Sequence, residues 1–286
     1  MRLMTLNTHS IMEKGYPQKC EYFVDRVCQL RPHIIALQEV NQSSNAPVIS
    51  TPESDFFVPC QTKIPLKADN HLLRVVGMLA ERGIAYHFTW LPIKVSYDKF
   101  DEGVALLSLS PITQTYVCQV SRMDEFSHWK TRKALGITTK ACPHTRFYTT
   151  HMGWWQDPEE PFSLQWQNTL SHLDGVEDVV IAGDFNSPAE VRGEGYDLVS
   201  DSGFHDVYDL APVKIGNVTV PHGKGSIDGW HDIAHPQDGM RIDQIWTRMP
   251  HHVSEYRVLF DGIDSPVVSD HFGVMVDMDI DDCSPC

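Results

Sequence analysis

The sequence predicts an α/β fold in which two β-sheets pack face to face and helices cover their outer surfaces. Three observations lead to this prediction: strands outnumber helices, many strands follow one another directly, and helices recur at intervals. No internal repeat, low-complexity tract or linker divides the chain. We therefore expect a single domain over residues 1–280 and a short C-terminal tail over residues 281–286.

Length and composition support a globular protein. The chain has 286 residues, of which 42% are hydrophobic and 10% are aromatic. These proportions exclude a disordered or fibrous chain. A folded chain of this size buries roughly three quarters of its unfolded surface, so one large core is sufficient for stability.

Apolar spacing predicts three helices. Over residues 18–30, apolar side chains recur at i, i+3, i+4, i+7 and i+8, and a proline follows the segment. A similar pattern covers residues 70–82, with Asp69 or Asn70 as the N-cap and a glycine after the last turn. A third helix is predicted over residues 162–173, which carry apolar and aromatic side chains at core spacing.

Strands are predicted in the remaining apolar segments. The first ends at Asn7, and the buried run HIIALQEV is expected to end its ordered part at Glu39. The other predicted strands lie at 104–109, 115–120, 133–139, 146–151, 178–184, 241–246, 255–260 and 272–278. Two long irregular segments, 41–69 and 212–240, are expected to serve a binding or catalytic site.

The charge balance limits the classes of partner. Lys and Arg number 23 against 38 Asp and Glu, which gives a formal net charge of −15. Proteins that follow a nucleic-acid backbone usually carry a basic surface, so a nucleic acid is not the expected partner. No apolar run approaches the roughly 18 to 20 residues that a membrane span needs, so no membrane association is expected.

Cysteine usage and the N-terminal sequence favour a cytoplasmic location. The first residues show no basic region followed by an apolar stretch and a cleavage site. The seven cysteines are odd in number and mostly lie in apolar runs, which predicts reduced thiols. Cys283 and Cys286 form a lone CxxC, and the sequence offers no second pair to complete a zinc site.

Polar residues with metal-binding or proton-transfer chemistry recur at the boundaries of the predicted strands. Any one of them is more often a turn-former than a ligand. Together they are harder to explain as turns, because carboxylate and amide oxygens suit magnesium or manganese and a His beside an Asp can move protons. These residues are Asn7, Glu39, His151, Asp184, Asn186, Asp243, Asp270 and His271.

The ordered motifs LNTH, LQEV, EGVALLS, THMGWW, GDFN, RIDQIW and SDHFGV resemble the endonuclease/exonuclease/phosphatase superfamily. The resemblance runs from Leu6 to Val274, and GDFN followed by SDHF is its most specific part. It implies a four-layered α/β sandwich of two mainly antiparallel sheets flanked by helices, with the site along one edge of both sheets. It also implies a metal-dependent phosphoester hydrolase.

The resemblance implies a role for each matching acid and amide. Glu39 is similar to the principal metal-binding carboxylate, with Asn7 beside it and Asp270 as a further metal or site carboxylate. One or two magnesium or manganese ions are implied. Asp184 and Asn186 are similar to the pair that orients the attacking water and the phosphoryl group.

The resemblance also implies roles for two histidines. His271 is similar to the histidine that contacts a phosphate oxygen or serves as base, with Asp243 as its orienting carboxylate. His151 is similar to the second histidine of the deoxyribonuclease and sphingomyelinase branches, with Glu102 as its partner. Whether Asp184 or His271 takes the proton from water stays open at this stage.

The candidate substrate-binding residues near these motifs are basic or aromatic. Lys130, Arg132 and Lys133 form one short basic cluster, which either binds a phosphate or, more commonly, faces solvent. Strand alternation puts Lys130 and Arg132 on one face and Lys133 on the other.

Flat aromatic faces beside a phosphoester site suit a sugar ring or a lipid headgroup. The aromatic candidates are Trp154, Trp155 and Trp230, with His231 in the same loop as Trp230, whereas Trp166 and one of Trp154 and Trp155 are expected in the core.

The segments around THMGWW, SIDGW, RIDQIW and SDHFGV are most similar to the bacterial maltose 6'-phosphate phosphatases. The favoured function is therefore a cytoplasmic phosphatase that acts on a phosphorylated sugar. The alternatives are a nuclease, which the charge disfavours, and a sphingomyelinase-like phosphodiesterase, which the missing signal peptide disfavours. A non-catalytic binding protein on the same fold would be expected to lack Glu39, Asp184 or His271, and all three are present.

Overall fold

The computed structural model of the protein describes residues 1–50, 55–221, 227, 230, 239–281 and 283. Within these residues, two mixed β-sheets of seven and six strands are surrounded by five helices. No helix in the described ranges is both long enough and apolar enough to cross a bilayer.

The helices and strands follow one another along nearly the whole described chain. The helices are α1 (Tyr16–Leu30), α2 (His71–Glu81), α3 (Phe162–His172), α4 (Gly195–Asp201) and α5 (Val207–Leu210), and a single 3-10 turn covers Ser10–Met12. The strands are β1 (Arg2–Asn7), β2 (Ile34–Ser43), β3 (His87–Ser96), β4 (Phe100–Ser108), β5 (Ile112–Gln119), β6 (Lys133–Thr139), β7 (Arg146–His151), β8 (Val179–Asp184), β9 (His205–Asp206), β10 (Val213–Ile215), β11 (Asp243–Thr247), β12 (His252–Leu259) and β13 (Gly273–Asp279).

The two sheets are mainly antiparallel. The first sheet has the strand order β10-β12-β13-β1-β2-β4-β3, and the second has the order β5-β6-β7-β8-β11-β9. Among the named strands of the described residues, the parallel pairs are β10 with β12 and β1 with β2 in the first sheet, and β7 with β8 in the second. The central strands β1, β2, β7 and β8 therefore run with their carboxyl ends at shared edges of the sheets.

Three apolar cores separate four layers. The central core lies between the sheets and includes Leu106 from β4 and Ile137 from β6. An outer core packs α1 and α2 on the first sheet, and another packs α3 and α4 on the second. The predicted four-layered sandwich of two mainly antiparallel sheets flanked by helices is confirmed.

Most predicted elements lie where the sequence places them. Strands β6 and β7 have the predicted bounds, and Asn70 caps α2 by accepting hydrogen bonds from two backbone amides of the first turn. Strand β2 does not end at Glu39 but continues to Ser43 through a register shift between Leu37 and Val40. The prediction of its end was wrong because a bulge keeps the strand paired beyond the polar residue.

Strand β3 and the short elements α4, α5, β9 and β10 were not predicted. β3 contains Pro92, which argues against a strand interior unless the strand lies at an edge or a bulge. Both conditions hold, since β3 is the last strand of its sheet and its pairing shifts between Pro92 and Lys94. The other missed elements are two to seven residues long, too short for a clear period.

The prediction that all cysteines are reduced was wrong. Cys142, in the turn after β6, forms a disulfide with Cys283 near the C-terminus, across a sequence separation of 141 residues. Cys20, Cys28, Cys60 and Cys118 are free thiols. Sequence spacing cannot reveal such a pair, because only the folded sheets bring its two halves together. Cys286 lies outside the described residues.

Buried His71 at the start of α2 provides a test of the outer core. Its Nδ1 lies 2.9 Å from the hydroxyl of Tyr16, and burial, helped by the charge of Arg74, lowers the pKa of His71 from 6.5 to about 3. The folded state therefore disfavours the proton, so His71 contributes stability that is fully present above pH 6.5 and declines down to about pH 3.

We expect His71→Gln to remove this part of the pH dependence. Over the window from pH 6.5 to about 3, the difference in free energy of unfolding between wild type and variant should change by about 1.4 kcal/mol per pH unit. Urea unfolding of both proteins at several pH values measures this difference. A constant difference would contradict a buried neutral imidazole at this position.

Candidate functional site

Three polar residues occupy one row across the second sheet. Asp184 ends β8, where it pairs with His151 of the parallel strand β7 and with Asp243 of the antiparallel strand β11. Gly183 allows this close pairing, since a Cβ at its position would lie 2.0 Å from the carbonyl oxygen of Thr150. Register alone therefore brings together residues that are far apart in sequence.

The first sheet contributes Asn7 and Glu39 to the same place. Glu39 lies in the bulge of β2 with a left-handed backbone (φ 50°), a strained conformation for a glutamate. The Nδ2 amide of Asn7 donates to Glu39 Oε1 at 2.8 Å and to Asp184 Oδ2 at 3.1 Å. Asn7 thus links carboxylates from the two sheets.

His271 forms a buried pair with Asp243. Its Nδ1–H donates to Asp243 Oδ2 at 2.9 Å, and its Nε2 lies 3.9 Å from Asp184 Oδ2. Burial alone would lower the pKa of His271, but Asp243, Asp184 and Asp270 together raise it well above the usual value. The imidazole is therefore positively charged at neutral pH.

His151 lies on the other side of Asp184. Its Nε2 is 3.5 Å from Asp184 Oδ2, and its Nδ1 is 4.0 Å from Glu102 Oε1. Glu102 does not hydrogen-bond to it and instead forms an ion pair with Lys94 at 3.2 Å. Burial, together with the charges of Arg132, Lys94 and His271, lowers the pKa of His151 well below its usual value, so this ring is neutral.

The carboxylates at the centre have raised pKa values. Burial raises the pKa of Glu39 to about 7, and the like charges of Glu102 and Asp270 contribute. Burial also raises the pKa of Asp184 to about 6, with a contribution from Asp243 that His271 opposes. Buried acids that repel one another fit a divalent cation, because hard oxygen ligands are stabilised by a positive charge placed between them.

Asn186 is fixed by three hydrogen bonds. Its backbone N–H donates to Asp184 Oδ1, its Nδ2 donates to the carbonyl of Met152, and its Oδ1 accepts from Trp230 Nε1, each at 2.9 Å. Its backbone is also left-handed (φ 45°). The side chain is therefore held rigidly beside Asp184.

These groups line one cavity of about 560 Å³. Of the predicted site residues, Glu39, Glu102, Arg132, His151, Trp154, Asp184, Asn186, Asp270 and His271 line it. Asn7 and Asp243 are completely buried and contact the lining residues. The acids, amides and imidazoles predicted from separate motifs therefore converge on one pocket.

Two tryptophans predicted to bind substrate do not line this cavity. Trp155 packs on the ring of Phe162 at the start of α3, with 6.4 Å between centroids. Trp230 is 3% exposed and supports Asn186 from behind. Substrate contact by Trp155 and Trp230 stays a prediction. The packing of Trp155 agrees with the expectation that one of Trp154 and Trp155 lies against the core. His231 lies outside the described residues.

The basic cluster separates into different environments. Arg132 lines the cavity at only 4% exposure, with its guanidinium carbon 5.8 Å from the ring centre of Trp154. Within the described ranges, no carboxylate lies within ion-pair distance of Arg132 and no acceptor takes a hydrogen bond from its guanidinium. The expectation of a solvent-facing residue was wrong for Arg132, which presents an unpaired positive charge to the cavity.

The two lysines of the cluster, Lys130 in the loop before β6 and Lys133 at the start of β6, are each paired with an acid. Lys130 forms an ion pair with Asp157 at 2.9 Å, and Lys133 pairs with Asp124. Lys130 therefore contacts two residues that line the cavity, Asp157 through this ion pair and Trp129, whose ring centre lies 5.1 Å from Lys130 Nζ.

Sequence reasoning missed several cavity residues. His9 lies in the LNTH motif, only two residues after Asn7, and its Nδ1 is 2.7 Å from Glu13 Oε1. Burial opposes its protonation, but Glu13 and the nearby acids raise the pKa of His9 to about 9. The remaining missed residues are Lys94, Ser96, Tyr97, Trp129, Asp157 and Ile227. Three of them lie on or directly after β3, the strand that sequence periodicity failed to predict.

Solved structures share this fold over almost the entire chain. An endonuclease/exonuclease/phosphatase family protein from Leptotrichia buccalis is 22% identical, with a TM-score of 0.84 and coverage of 98% of this chain and 100% of that one. A mannosyl-6-phosphatase from Bacteroides thetaiotaomicron is 16% identical, with a TM-score of 0.63 and the same coverage. A Neisseria 3' phosphatase bound to a product DNA hairpin is also 16% identical, with a TM-score of 0.61 and coverage of 98% and 100%.

Family membership follows from the sequence itself. No curated protein matches the chain significantly. A profile of the Endonuclease/Exonuclease/phosphatase family, however, matches residues 4–271, which include every polar residue of the pocket described above. The chain therefore belongs to the Endonuclease/Exonuclease/phosphatase family.

Proposed function

We propose that the protein is a metal-dependent phosphomonoesterase that releases inorganic phosphate from a phosphorylated sugar such as maltose 6'-phosphate. Members of its family are metal-dependent phosphoester hydrolases. One observation carries the proposal: a buried carboxylate, Asp184, lies between a charged and a neutral histidine, His271 and His151, in a cavity large enough for a small molecule.

Asp184 is assigned to the attacking water. Its Oδ2 lies at the cavity wall, and Asn7 and Asn186 fix the carboxyl group through hydrogen bonds to both oxygens. A carboxylate held in this way orients a water molecule for in-line attack on phosphorus and accepts its proton. His271 already carries a proton because of its acidic neighbours, so Asp184 is the better base of the pair.

His271 is assigned to the phosphoryl group. Its Nδ1–H is engaged by Asp243, which leaves Nε2–H on the side of Asp184 and the cavity. Charge accumulates on the phosphoryl oxygens in the transition state, and a fixed imidazolium in a buried site stabilises that charge.

His151 is assigned to the leaving-group side of the same phosphoryl group. A neutral ring donates one hydrogen bond through an N–H, so His151 orients the departing oxygen without carrying a net charge. Its other neighbour, Glu102, is engaged by Lys94 and does not fix the tautomer by a direct hydrogen bond. The implied His151–Glu102 pair is therefore replaced by a looser contact.

Glu39 and Asp270, with the side-chain oxygen of Asn7, are the residues that would hold a magnesium or manganese ion. When bound, such an ion neutralises charge on the phosphoryl oxygens and acts as a Lewis acid. The donor set fits because loss of solvation and the like charges of Glu102 and Asp270 raise the pKa of the half-buried Glu39, and a cation would relieve this repulsion.

Arg132 supports a phosphomonoester over a longer polymer. Its buried guanidinium meets no acid in the described residues and is suited to the two negative charges of a terminal phosphate. Asp157 and Trp154 line the same cavity and offer a hydroxyl acceptor and an aromatic face to a sugar. The net charge of −15 disfavours tracking along a nucleic-acid backbone.

Phosphate release separates this proposal from its alternatives. The purified protein with magnesium should release inorganic phosphate from maltose 6'-phosphate and leave plasmid DNA and sphingomyelin intact. Cleavage of DNA or sphingomyelin without phosphate release from the sugar would instead support a nuclease or a phosphodiesterase. Absence of hydrolysis of all three substrates with either metal would support a binding protein on this fold.

A further inference from the structure

Two aromatic side chains at the cavity have no part in the chemistry assigned above. Tyr97 lies in the turn between β3 and β4, and Trp129 lies in the loop before β6. Both line the cavity, and they are 51% and 52% exposed, respectively. Lys130 Nζ lies over the ring of Trp129, 5.1 Å from its centre, and the remaining exposed area of both side chains leaves apolar surface available at the mouth of a polar site.

The two loops are fixed to each other. The backbone N–H of Val95, at the end of β3, donates to the carbonyl of Phe126 at 2.7 Å. Within the second loop, the Thr131 hydroxyl donates to the carbonyl of Glu125, also at 2.7 Å. Tyr97 and Trp129 are therefore presented by a joined, hydrogen-bonded frame, which lowers the entropy lost when a ligand binds.

The second loop is also tied to the inner part of the cavity. Lys130 bonds to Asp157, and the ring centres of Trp129 and Trp154 are 6.1 Å apart at an angle of 51°. The Nε1–H of Trp154 is buried, and no residue of the described ranges accepts a hydrogen bond from it. The ring of Trp154 and the carboxylate of Asp157 thus lie between the phosphate end of the cavity and its aromatic mouth.

We propose that Tyr97 and Trp129 bind a second sugar ring, so that the substrate is a phosphorylated oligosaccharide of at least two rings. The inference rests on the proposed function and concerns the sugar ring that lies farthest from the phosphate group. The first ring lies beside Trp154 and Asp157, where its C–H face meets the indole and its hydroxyl groups meet the carboxylate. The next ring reaches the mouth, where its C–H face packs on the exposed aromatic side chains.

A nucleotide base is the competing occupant, because bases also stack on aromatic rings. The observations favour a sugar. A nucleotide base stacks best between two parallel rings. The rings of Trp129 and Trp154 are strongly tilted to each other, so a ligand can stack on only one face of each. The carboxylate of Asp157, which lines the cavity, suits the hydroxyl groups of a sugar.

The test compares kcat/KM for maltose 6'-phosphate, glucose 6-phosphate and glycerol 3-phosphate. Wild type should prefer the two-ring substrate to the one-ring substrate by about tenfold. Trp129→Ala or Tyr97→Ala should each raise KM for maltose 6'-phosphate about threefold to tenfold, with kcat nearly unchanged. Glycerol 3-phosphate should be hydrolysed equally by all variants, and Tyr97→Phe should retain the preference of the wild type.

Met123→Ala is the matched control, because Met123 lies in the same loop as Trp129, is 38% exposed and does not line the cavity. It should retain the two-ring preference. Equal losses on all three substrates in Trp129→Ala would overturn the inference, as would a wild type that hydrolyses glycerol 3-phosphate without preferring two rings. A preference for adenosine monophosphate that Trp129→Ala removes would assign the mouth to a base. Failure to hydrolyse any monoester would instead overturn the proposed function.

Discussion

Replacement of Asp184 by asparagine is expected to lower kcat at least about a hundredfold and to leave the fold intact. The amide keeps the shape of the side chain but cannot accept a proton from water, so the loss falls on the transition state. Stability should change little, because avoiding a buried charge offsets the hydrogen bond from Asn7 or Asn186 that the amide NH2 cannot accept. Phosphate release and thermal unfolding of the purified variant measure the two effects.

Asp178→Asn is the control for this experiment. Asp178 directly precedes the opposite end of β8, where it accepts a hydrogen bond from the Thr145 hydroxyl and pairs with His251, remote from the cavity. The same chemical change at this position should leave kcat within about twofold of wild type. Full activity in Asp184→Asn would remove Asp184 from the mechanism, whatever the behaviour of the control.

Chelation is expected to have an effect of similar size. Treatment with EDTA followed by desalting should abolish phosphate release, and added magnesium or manganese should restore it, because the acids around Glu39 are arranged for a cation. Titration calorimetry should detect binding of manganese to the stripped wild type. Glu39→Gln should weaken this binding at least about tenfold, since it removes a charged oxygen ligand.

Glu21→Gln serves as the comparison for Glu39→Gln. Glu21 lies on α1 and pairs with Arg82 on the surface, so its loss removes the same charge without touching the cavity. Manganese affinity should be unchanged in this variant. Persistent activity after thorough chelation, or equal metal affinity in Glu39→Gln and wild type, would contradict the assignment of Glu39.

The fold and the polar centre were predictable because both leave strong local patterns. Apolar segments with a period of two fixed β6 and β7 to the residue, and Asp184 follows a buried run that can only be a central strand. Once such a strand is placed, its last residue must lie at the edge of the sheet. The motif that ends β8 and the motif that precedes β13 therefore indicated the site before any contact was known.

The substrate end of the cavity was less predictable because loops and bulges determine it. Periodicity does not show that Arg132 turns inward while Lys130 pairs with Asp157, or that Trp154 rather than Trp155 faces the cavity. Proline in β3 concealed the strand that positions Lys94 and Tyr97. Each of these features depends on tertiary pairing, which a single sequence does not report.

The residues for the reaction and the residues for substrate selectivity lie on different parts of the fold. His151, Asp184 and Asp243 form a row on paired strands. Hydrogen-bonded neighbours on three paired strands hold the row, whereas Tyr97 and Trp129 belong to connecting segments that tolerate insertions and deletions. Substrate specificity is therefore expected to change during evolution through changes in the two loops that carry Tyr97 and Trp129. Transfer of both loops from one homologue into another should transfer substrate preference without changes to the catalytic residues on the strands.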